Sequence, residues 1–544
     1  MSQAGSGIWN YGDIFDALDR VIPPDRPALV HGEQITSWGR MVARTNNLAR
    51  ALIADGARPD EKIALYLRNH PAYMEGTIAG FKARQVHVNV NYRYAADEVR
   101  YILENSDATT VVFGLEFAPM VEQIRDRLPG VRRWLAVDDG SGVPVPAFAT
   151  PFDALAESGS GAPLEITRSP DDLFFIYTGG TTGMPKGVMW RHDALRRALI
   201  NPALVERVPA NIAEHVEIVQ EAGSGPICVP ACPLMHGTGL LSGISALANG
   251  GTVVTLTGTH FDADELWSAV HRHRVSQLII VGDAFAKPML RALDEAEGRY
   301  DVASVLTMVS SGTMWSMEVK QGLLRHMPQV TLLDSFGSSE AVGFGLSAMT
   351  ADGAVQTAKF QLGDDVKVFN HEDREVGRGT GEAGIIGRSG AIPDGYYKDP
   401  VKTASTFRTI GGVRYSMPGD FCTVEADGTL TLLGRGSQCI NTAGEKVYPE
   451  EVEEALKEHP DVEDALVIGV SDEKWGQAVT AVVELRPGAA LDEAVLRGHV
   501  RARLAGYKSP KRVLAVERMF RAPNGKADYK RARQFAEEAL QQIA

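Results

Sequence analysis

Residues Phe174 to Met189 read F-F-I-Y-T-G-G-T-T-G-M-P-K-G-V-M. The run Leu173 to Tyr177 is apolar, of strand length and stopped at once by turn residues, which is the pattern of a buried strand. Three glycines (Gly179, Gly180, Gly183), three hydroxyl residues (Thr178, Thr181, Thr182) and a cation, Lys186, follow it. Glycine lets the backbone approach a ligand closely, and successive inward N–H groups make an anion nest. A plain Gly/Thr turn is the alternative. The coincidence of glycines, hydroxyls and lysine favours a cradle for a phosphate chain. It is not a Walker A loop, because Lys186 follows Pro185 and Gly187 stands where the metal-binding hydroxyl belongs.

The chain of 544 residues is long enough for two or more domains with a large core. Hydrophobic residues at 44% and charged residues at 23% are ordinary for a globular protein. A net charge of −14 disfavours nonspecific binding to nucleic acid or anionic membrane. Four cysteines are too few for a disulfide framework and point to a reducing compartment, hence a cytoplasmic location. The N-terminus lacks a signal-peptide pattern, and no apolar run reaches transmembrane length.

The spacing predicts helices over 13–21, 38–55, 94–105, 266–273 and 317–326. Strands are predicted at 62–67, 86–90, 109–113, 252–257, 277–281, 305–310 and 330–334. This alternation predicts a layered α/β fold with substantial parallel sheet. Residues 138–170 read as a surface connection, and short strands with Gly-rich turns after Val355 read as a β subdomain, with a small barrel as one form. Gly434-Arg435-Gly436-Ser437 reads as a hinge. The expected domains are therefore 1–434 and a small, mobile α+β domain, 435–544. In the latter, Pro449 is placed at a helix N1 with Glu450 and Glu451 in the first turn. Leu491, Val495, Leu496, Val500 and Leu504 are placed on one helix face.

Asp334-Ser335-Phe336-Gly337-Ser338-Ser339-Glu340 ends a strand, where open α/β sheets bind ligands. An aromatic there can stack on a base, a hydroxyl can donate to phosphate and a carboxylate can hold Mg2+; a solvated turn is the plain alternative. Asp420 follows a Pro418-Gly419 turn and could accept from ribose hydroxyls. Then comes the long run Gly434 to Glu453, containing I-N-T-A-G-E-K-V-Y-P-E-E-V-E, and Pro523 to Lys526 (P-N-G-K) near the end. With Y-T-G-G-T-T-G-M-P-K-G and F-G-S-S-E, these segments resemble, in order, the adenylate-forming superfamily of acyl-CoA synthetases, adenylation domains and firefly luciferase. Gly434 to Glu453 and V-G-D-A-F-A (Val281 to Ala286) look most like actinobacterial fatty-acid and steroid-side-chain acyl-CoA ligases.

The resemblance implies two steps: a carboxylate attacks the α-phosphorus of ATP to give acyl-adenylate and pyrophosphate, and CoA thiol then displaces AMP. It implies ATP, Mg2+ and CoA as reactants and cofactors, a small-molecule acid as partner, and admits a homodimer. It assigns Thr178, Gly179, Gly180, Thr181, Thr182, Gly183 and Lys186 to the phosphates, with Glu340 and Thr182 for Mg2+. Gly312, Asp334, Ser335, Phe336, Gly337, Ser338 and Ser339 would line the nucleotide, with Phe336 stacked on adenine. Asp420 and Arg435 would hold the ribose, with Lys446 also at the nucleotide. Lys526 would bridge carboxylate and α-phosphate in the first step. His236, in P-L-M-H-G-T-G, would sit where acyl tunnel meets nucleotide; a packed loop histidine is the alternative. The hinge Ser437 and the hairpin Ala443-Gly444-Glu445 would serve the CoA step.

Some residues depart from the family's pattern: Gly179 for Ser, Phe336 for Tyr, Pro418 for Thr, Ser437 for Asp or Lys, and Ala443 for Gly. None removes a charge needed for adenylation. Cys228, Cys232 and His236 form a C-x3-C-x3-H pattern that lacks a fourth zinc ligand. Small residues across His236–Ile244, Val281–Ala286 and Ser310–Met314 would admit a long, branched or bulky acyl chain. Two other readings stand beside acyl-CoA ligase: an adenylating enzyme that loads a separate carrier protein, and a catalytically silent nucleotide sensor.

Overall fold

The structure is a computed structural model describing residues 8–178, 184–200, 205–296, 298–313, 315–353, 359–435, 438, 440–442, 445–472, 476–504, 506–522 and 525–543. It divides into two compact units. Unit 1 comprises Met1–Thr357 and Ser389–Ser416, and unit 2 comprises Ala358–Arg388 and Met417–Ala544. No described helix is long and apolar enough to cross a membrane.

Unit 1 is layered α/β, as the alternation predicts. One of its sheets runs in the order Gln34–Ser37, Pro27–His31, Thr252–Thr255, Ile227–Pro230, Gln277–Ile280, Thr307–Ser311, Thr331–Ser338, Ala341–Met349. Its interior pairs are parallel, and its first and last pairs are antiparallel. A second, all-parallel sheet has the order Val86–Asn89, Lys62–Tyr66, Ala108–Gly114, Arg133–Val137, Thr150–Pro151. A third is antiparallel: Gly395–Tyr396, Lys186–Arg191, Leu173–Thr178.

The strand Leu173–Thr178 shows why its sequence is apolar throughout. Successive side chains of a strand point to opposite faces. Phe174 and Ile176 enter one hydrophobic core, and Phe175 and Tyr177 enter another. Both faces are buried, so the run has no polar alternation. Burial of each large apolar side chain is worth about 1.5–3 kcal/mol.

This strand is an edge of its sheet, and an edge leaves backbone groups unpaired. They are satisfied by side chains from the edge strand of the neighbouring sheet, Val86–Asn89, at the matching two-residue period. His87 Nδ1–H donates to the Phe175 carbonyl at 3.2 Å. Asn89 Nδ2 donates to the Tyr177 carbonyl at 2.9 Å, and Asn89 Oδ1 accepts from the Tyr177 N–H at 2.6 Å. The His87 ring also lies flat on Phe174, with centroids 4.6 Å apart. At the end of the strand, Tyr177 Oη donates to Asn105 at 2.7 Å.

Residues 138–170 depart from expectation. Thr150–Pro151 closes the second sheet as a parallel strand, and Phe152–Ala156 is a short helix whose Phe152 and Ala156 are buried. A two-residue strand is too short to leave a periodic signal.

In unit 2, the β subdomain is an antiparallel sheet in the order Lys359–Leu362, Leu430–Arg435, Asp420–Val424, Gly384–Arg388, Val366–Phe369. Its end strands do not pair with each other among the described residues. Farther along, Glu445–Val447, Ile440–Thr442, Gly476–Leu485 and Val462–Asp472 form a second sheet, with Arg512–Val516 parallel to Gly476–Leu485. Pro449 is the first residue of the helix Pro449–Lys457, with Glu450 and Glu451 in its first turn, as expected. The helix expected from Leu491 is shorter, Glu493–Arg501, because Asp492 caps it by accepting from the Ala494 and Val495 N–H groups. Leu491 precedes the helix and is exposed; Val495, within it, is exposed too, while Leu496 and Val500 are buried.

Two predictions follow from unit 1. Burial holds the imidazoles of His87, His192 and His215 down, to about 3, 4 and 4 respectively. An unfolded histidine takes up a proton near its ordinary pKa of about 6.5, and these folded ones do not. The unfolded chain then binds more protons, so stability falls as pH drops below about 6.5, each histidine contributing up to about 1.4 kcal/mol per pH unit. Urea midpoints should fall between about pH 7 and pH 5, and the slope should shrink in His87→Gln; a flat midpoint contradicts this. Asn89→Ala leaves buried backbone groups of Tyr177 unsatisfied, at about 1–3 kcal/mol each. Urea unfolding should show a loss of about 3 kcal/mol, and a loss under about 1 kcal/mol would refute the closure of this edge by Asn89.

Candidate active site

The antiparallel pairing of Leu173–Thr178 with Lys186–Arg191 places Thr178 opposite Lys186. The Gly/Thr segment thus connects these two strands in sequence. Residues 179–183, which include Gly179, Gly180, Thr181, Thr182 and Gly183, lie outside the described residues. Gly187 needs no side chain for a steric reason: a Cβ would come within 2.8 Å of the Tyr177 ring. The return strand K-G-V-M-W-R went unread in the sequence because its glycine interrupts the apolar pattern.

The third strand of this sheet binds the hairpin to the rest of the site. Tyr396 pairs with Val188, and the Tyr397 N–H donates to the Gly187 carbonyl at 2.8 Å. From this arm Tyr396 Oη donates to Glu340 Oε1 at 2.7 Å. Three residues on, Asp399 Oδ2 takes an ion pair from Lys186 Nζ. Asp399 Oδ1 accepts from the Lys402 N–H at 2.9 Å and so caps the helix Pro400–Thr406. The Lys186 ammonium and the Lys402 N–H together hold the Asp399 carboxyl below the usual range.

The segment D-S-F-G-S-S-E does not simply end a strand. Thr331–Ser338 runs through it and turns at Ser339-Glu340 into Ala341–Met349. The register shifts between Phe336 and Ser338. Gly337 sits in that irregularity, where a Cβ would lie 2.9 Å from the Gly343 nitrogen. The turn is held from three sides. Trp190 Nε1 donates to the Ser339 carbonyl at 2.8 Å, and Ser416 Oγ donates to the Glu340 carbonyl at 2.7 Å. The Tyr396 phenol takes the Glu340 carboxylate.

Other nucleotide candidates gather at this strand end. Ser311 pairs with Ser335, the last pair of that register, and Gly312 and Phe336 are the residues that follow. Phe336 is buried against Phe344, ring centroids 5.3 Å apart. Ser338 Oγ is buried with no hydrogen-bond partner among the described residues. The Asp334 carboxylate pairs with the buried Lys320 and so carries a structural ion pair at its expected position.

His236 is the N-cap residue of Gly237–Ala248 and is half-buried. Its loop is fixed by two asparagines. Asn69 donates to the Pro230 and Cys232 carbonyls and accepts from the Leu234 N–H. Asn89 donates to the Met235 carbonyl at 2.7 Å, so one side chain holds both the hairpin strand and the His236 loop. Cys228 and Cys232 are buried, and burial pushes the Cys232 thiol up to about 12. Of the expected acyl segments, Val281–Ala286 meets Ser310 through Gly282 N–H, which donates to Ser310 Oγ at 2.9 Å; Met314 lies outside the described residues.

In unit 2 the two residues expected at the ribose come together: Asp420 and Arg435 are cross-strand partners, and Asp420 is buried. Lys446 pairs with Asn441, and Glu445 with Thr442. Ser437, Ala443 and Gly444 lie outside the described residues. Lys526 is exposed at the end of a tight loop, in which the Ala522 N–H donates to the Lys526 carbonyl at 2.8 Å. Arg521 braces that loop. It donates to both Asp464 oxygens, at 2.5 and 2.7 Å, and to the Gly525 carbonyl at 3.1 Å.

Tyr396, Asp399, Asn89 and Trp190 were not singled out in the sequence. The Asp394-Gly395-Tyr396-Tyr397-Lys398-Asp399 run reads as an ordinary turn, and only the pairing of distant strands gives it a role.

Comparison with known proteins places these features in a family. Residues 20–397 match the family described as AMP-binding enzyme, and residues 451–526 match the AMP-binding enzyme C-terminal domain. A medium/long-chain-fatty-acid–CoA/3-oxocholest-4-en-26-oate–CoA ligase of Mycolicibacterium smegmatis is 40% identical over 97% of this chain and 97% of its own. A 3-oxocholest-4-en-26-oate–CoA ligase of Rhodococcus rhodochrous is 39% identical, covering 96% and 95%. Among solved structures, an anthranilate CoA ligase in complex with anthranoyl-AMP superposes with a TM-score of 0.83, covering 98% of both chains at 21% identity, a likeness of fold. With the family's large N-terminal and small C-terminal domains both matched along nearly its whole length, the chain belongs to the AMP-binding, adenylate-forming enzymes.

Proposed function

We propose that this protein is an ATP-dependent, AMP-forming acyl-CoA ligase for a fatty or steroid-type carboxylic acid. The observation that carries the proposal is the 40% identity, across 97% of both chains, to a ligase named for fatty and 3-oxocholest-4-en-26-oate acids. The small residues of the Gly237–Ala248 helix suit a long or bulky acyl group.

The substrate carboxylate is itself the nucleophile, so the protein's task is positioning and charge stabilisation. Lys186 neutralises phosphate, and the buried Ser338 hydroxyl is a donor in reserve for it. Phe336 offers its ring to adenine. Asp420 and Arg435 take the ribose. His236 meets the acyl carboxylate, and Lys526 approaches the carboxylate and α-phosphate as charge builds. Residues from 435 onward form the mobile domain, turning at Ser437 to bring the Ala443-Gly444-Glu445 hairpin into the CoA step, with Lys446 at the nucleotide.

Mg2+ prefers hard oxygen donors, and Glu340 fits it. Tyr396 engages Oε1, and no described hydrogen bond engages Oε2. Glu340, with Thr182, would hold the ion. When bound, Mg2+ neutralises charge on the phosphates. Tyr396 keeps the carboxylate aimed from a half-buried turn.

The test is AMP and pyrophosphate release with ATP, CoA and a panel of fatty, branched, aryl and steroid acids. Acid-dependent pyrophosphate release with formation of the CoA thioester is expected. Pyrophosphate without thioester would point to a carrier protein, and neither product to a nucleotide sensor. Lys526→Ala should lose adenylation by about 10²–10³, or roughly 3–4 kcal/mol, while still converting added acyl-AMP to thioester. Equal loss of both steps would refute the role given to Lys526.

A further inference from the structure

We propose that Asp399 is a resident counter-ion of Lys186, a built-in anion that nucleotide phosphate must displace and that recaptures the lysine when pyrophosphate leaves. The proposal rests on the reading of Lys186 as a phosphate ligand.

The two partners are held very differently. Asp399 is fixed at a helix start. One carboxylate oxygen caps the Lys402 N–H at 2.9 Å. Its backbone carbonyl accepts from Thr403 Oγ1 at 2.7 Å and from the Thr403 N–H at 3.0 Å. The arm that carries it is paired to the hairpin's return strand through Tyr396 and Val188. The Lys186 ammonium instead ends a flexible four-carbon stem on the first residue of that strand, and its side chain is 34% exposed. The carboxylate therefore stays put and the ammonium can swing. A lysine with a fixed anion at hand is kept ordered and neutralised in the empty site. The same anion competes with phosphate for it, which weakens ground-state binding and favours product release.

A purely structural ion pair and a competing one predict opposite signs. Asp399→Asn keeps the N-cap, since asparagine caps as well as aspartate, but removes the charge. If Asp399 merely supports the fold or orients Lys186, phosphate binding weakens. If it competes, binding tightens.

The experiment is calorimetric titration of the full-length protein with inorganic pyrophosphate and with a non-hydrolysable ATP analogue, at low and high salt. The proteins are wild type, Asp399→Asn, Lys186→Met and the double variant, with thermal melts confirming folding and Asp399→Ser as a second capping variant. Asp399→Asn should bind both ligands about twofold to fivefold more tightly, the size of a partly exposed ion pair, with the gain shrinking in salt. The gain should vanish in the Lys186→Met background. Unchanged or weaker binding by Asp399→Asn overturns the proposal. An equal gain with and without Lys186 also overturns it, because the carboxylate would then act on phosphate generally. Lys186→Met that binds like wild type refutes the phosphate reading itself, and the counter-ion proposal falls with it.

Discussion

The strand Leu173–Thr178 is an edge with no strand paired on its outer side among the described residues, and the protein closes that edge with side chains. His87 and Asn89 stand two residues apart on another sheet's edge and meet the carbonyls of Phe175 and Tyr177, also two apart. This match of period locks two sheets together where both faces of the strand are buried in separate cores. An unpaired buried backbone group is costly, so the strand cannot slide. Through Asn89 the His236 loop shares that fixity.

The return strand extends the same constraint to the chemistry. Trp190 on it holds the carbonyl of Ser339, and its partner strand supplies Tyr396 to the carboxylate of Glu340. Lys186 and Glu340, the cation and carboxylate proposed to meet phosphate charge, are thus both steadied by one short arm, Gly395 to Asp399. Groups placed by such a framework need little reorganisation when charge develops, which is the advantage of preorganised electrostatics. In unit 2, Arg521 does a comparable service for the loop ending at Lys526.

Much of this was legible from residue type and spacing. The doubly buried strand announced itself as an unbroken apolar run, and the layered α/β class followed from alternation. Asp420 and Arg435 were paired by resemblance before the register placed them opposite each other. What stayed hidden depended on distant contacts. Tyr396 lies 56 residues from Glu340, and Asp399 lies 213 from Lys186. Their local sequence says only turn. The strand Ala341–Met349 is laced with glycine and reads as loop until its partner Thr331–Ser338 is known. Leu491 fits a helical face, yet a cap at Asp492 starts the helix after it and leaves it exposed. Periodicity reports burial only where an element's ends are known.

On the proposed reading, the Tyr396 phenol positions Glu340 as the carboxylate that receives the metal accompanying nucleotide. Titrating Mn2+ into the protein with a non-hydrolysable ATP analogue, with bound metal read by paramagnetic resonance, tests this. Glu340→Gln should lose the nucleotide-dependent site. Tyr396→Phe should retain the site but need several-fold more Mn2+ to fill it, about the worth of one charge-assisted hydrogen bond. Mn2+ binding by Tyr396→Phe that matches wild type, with the fold intact, would contradict that reading.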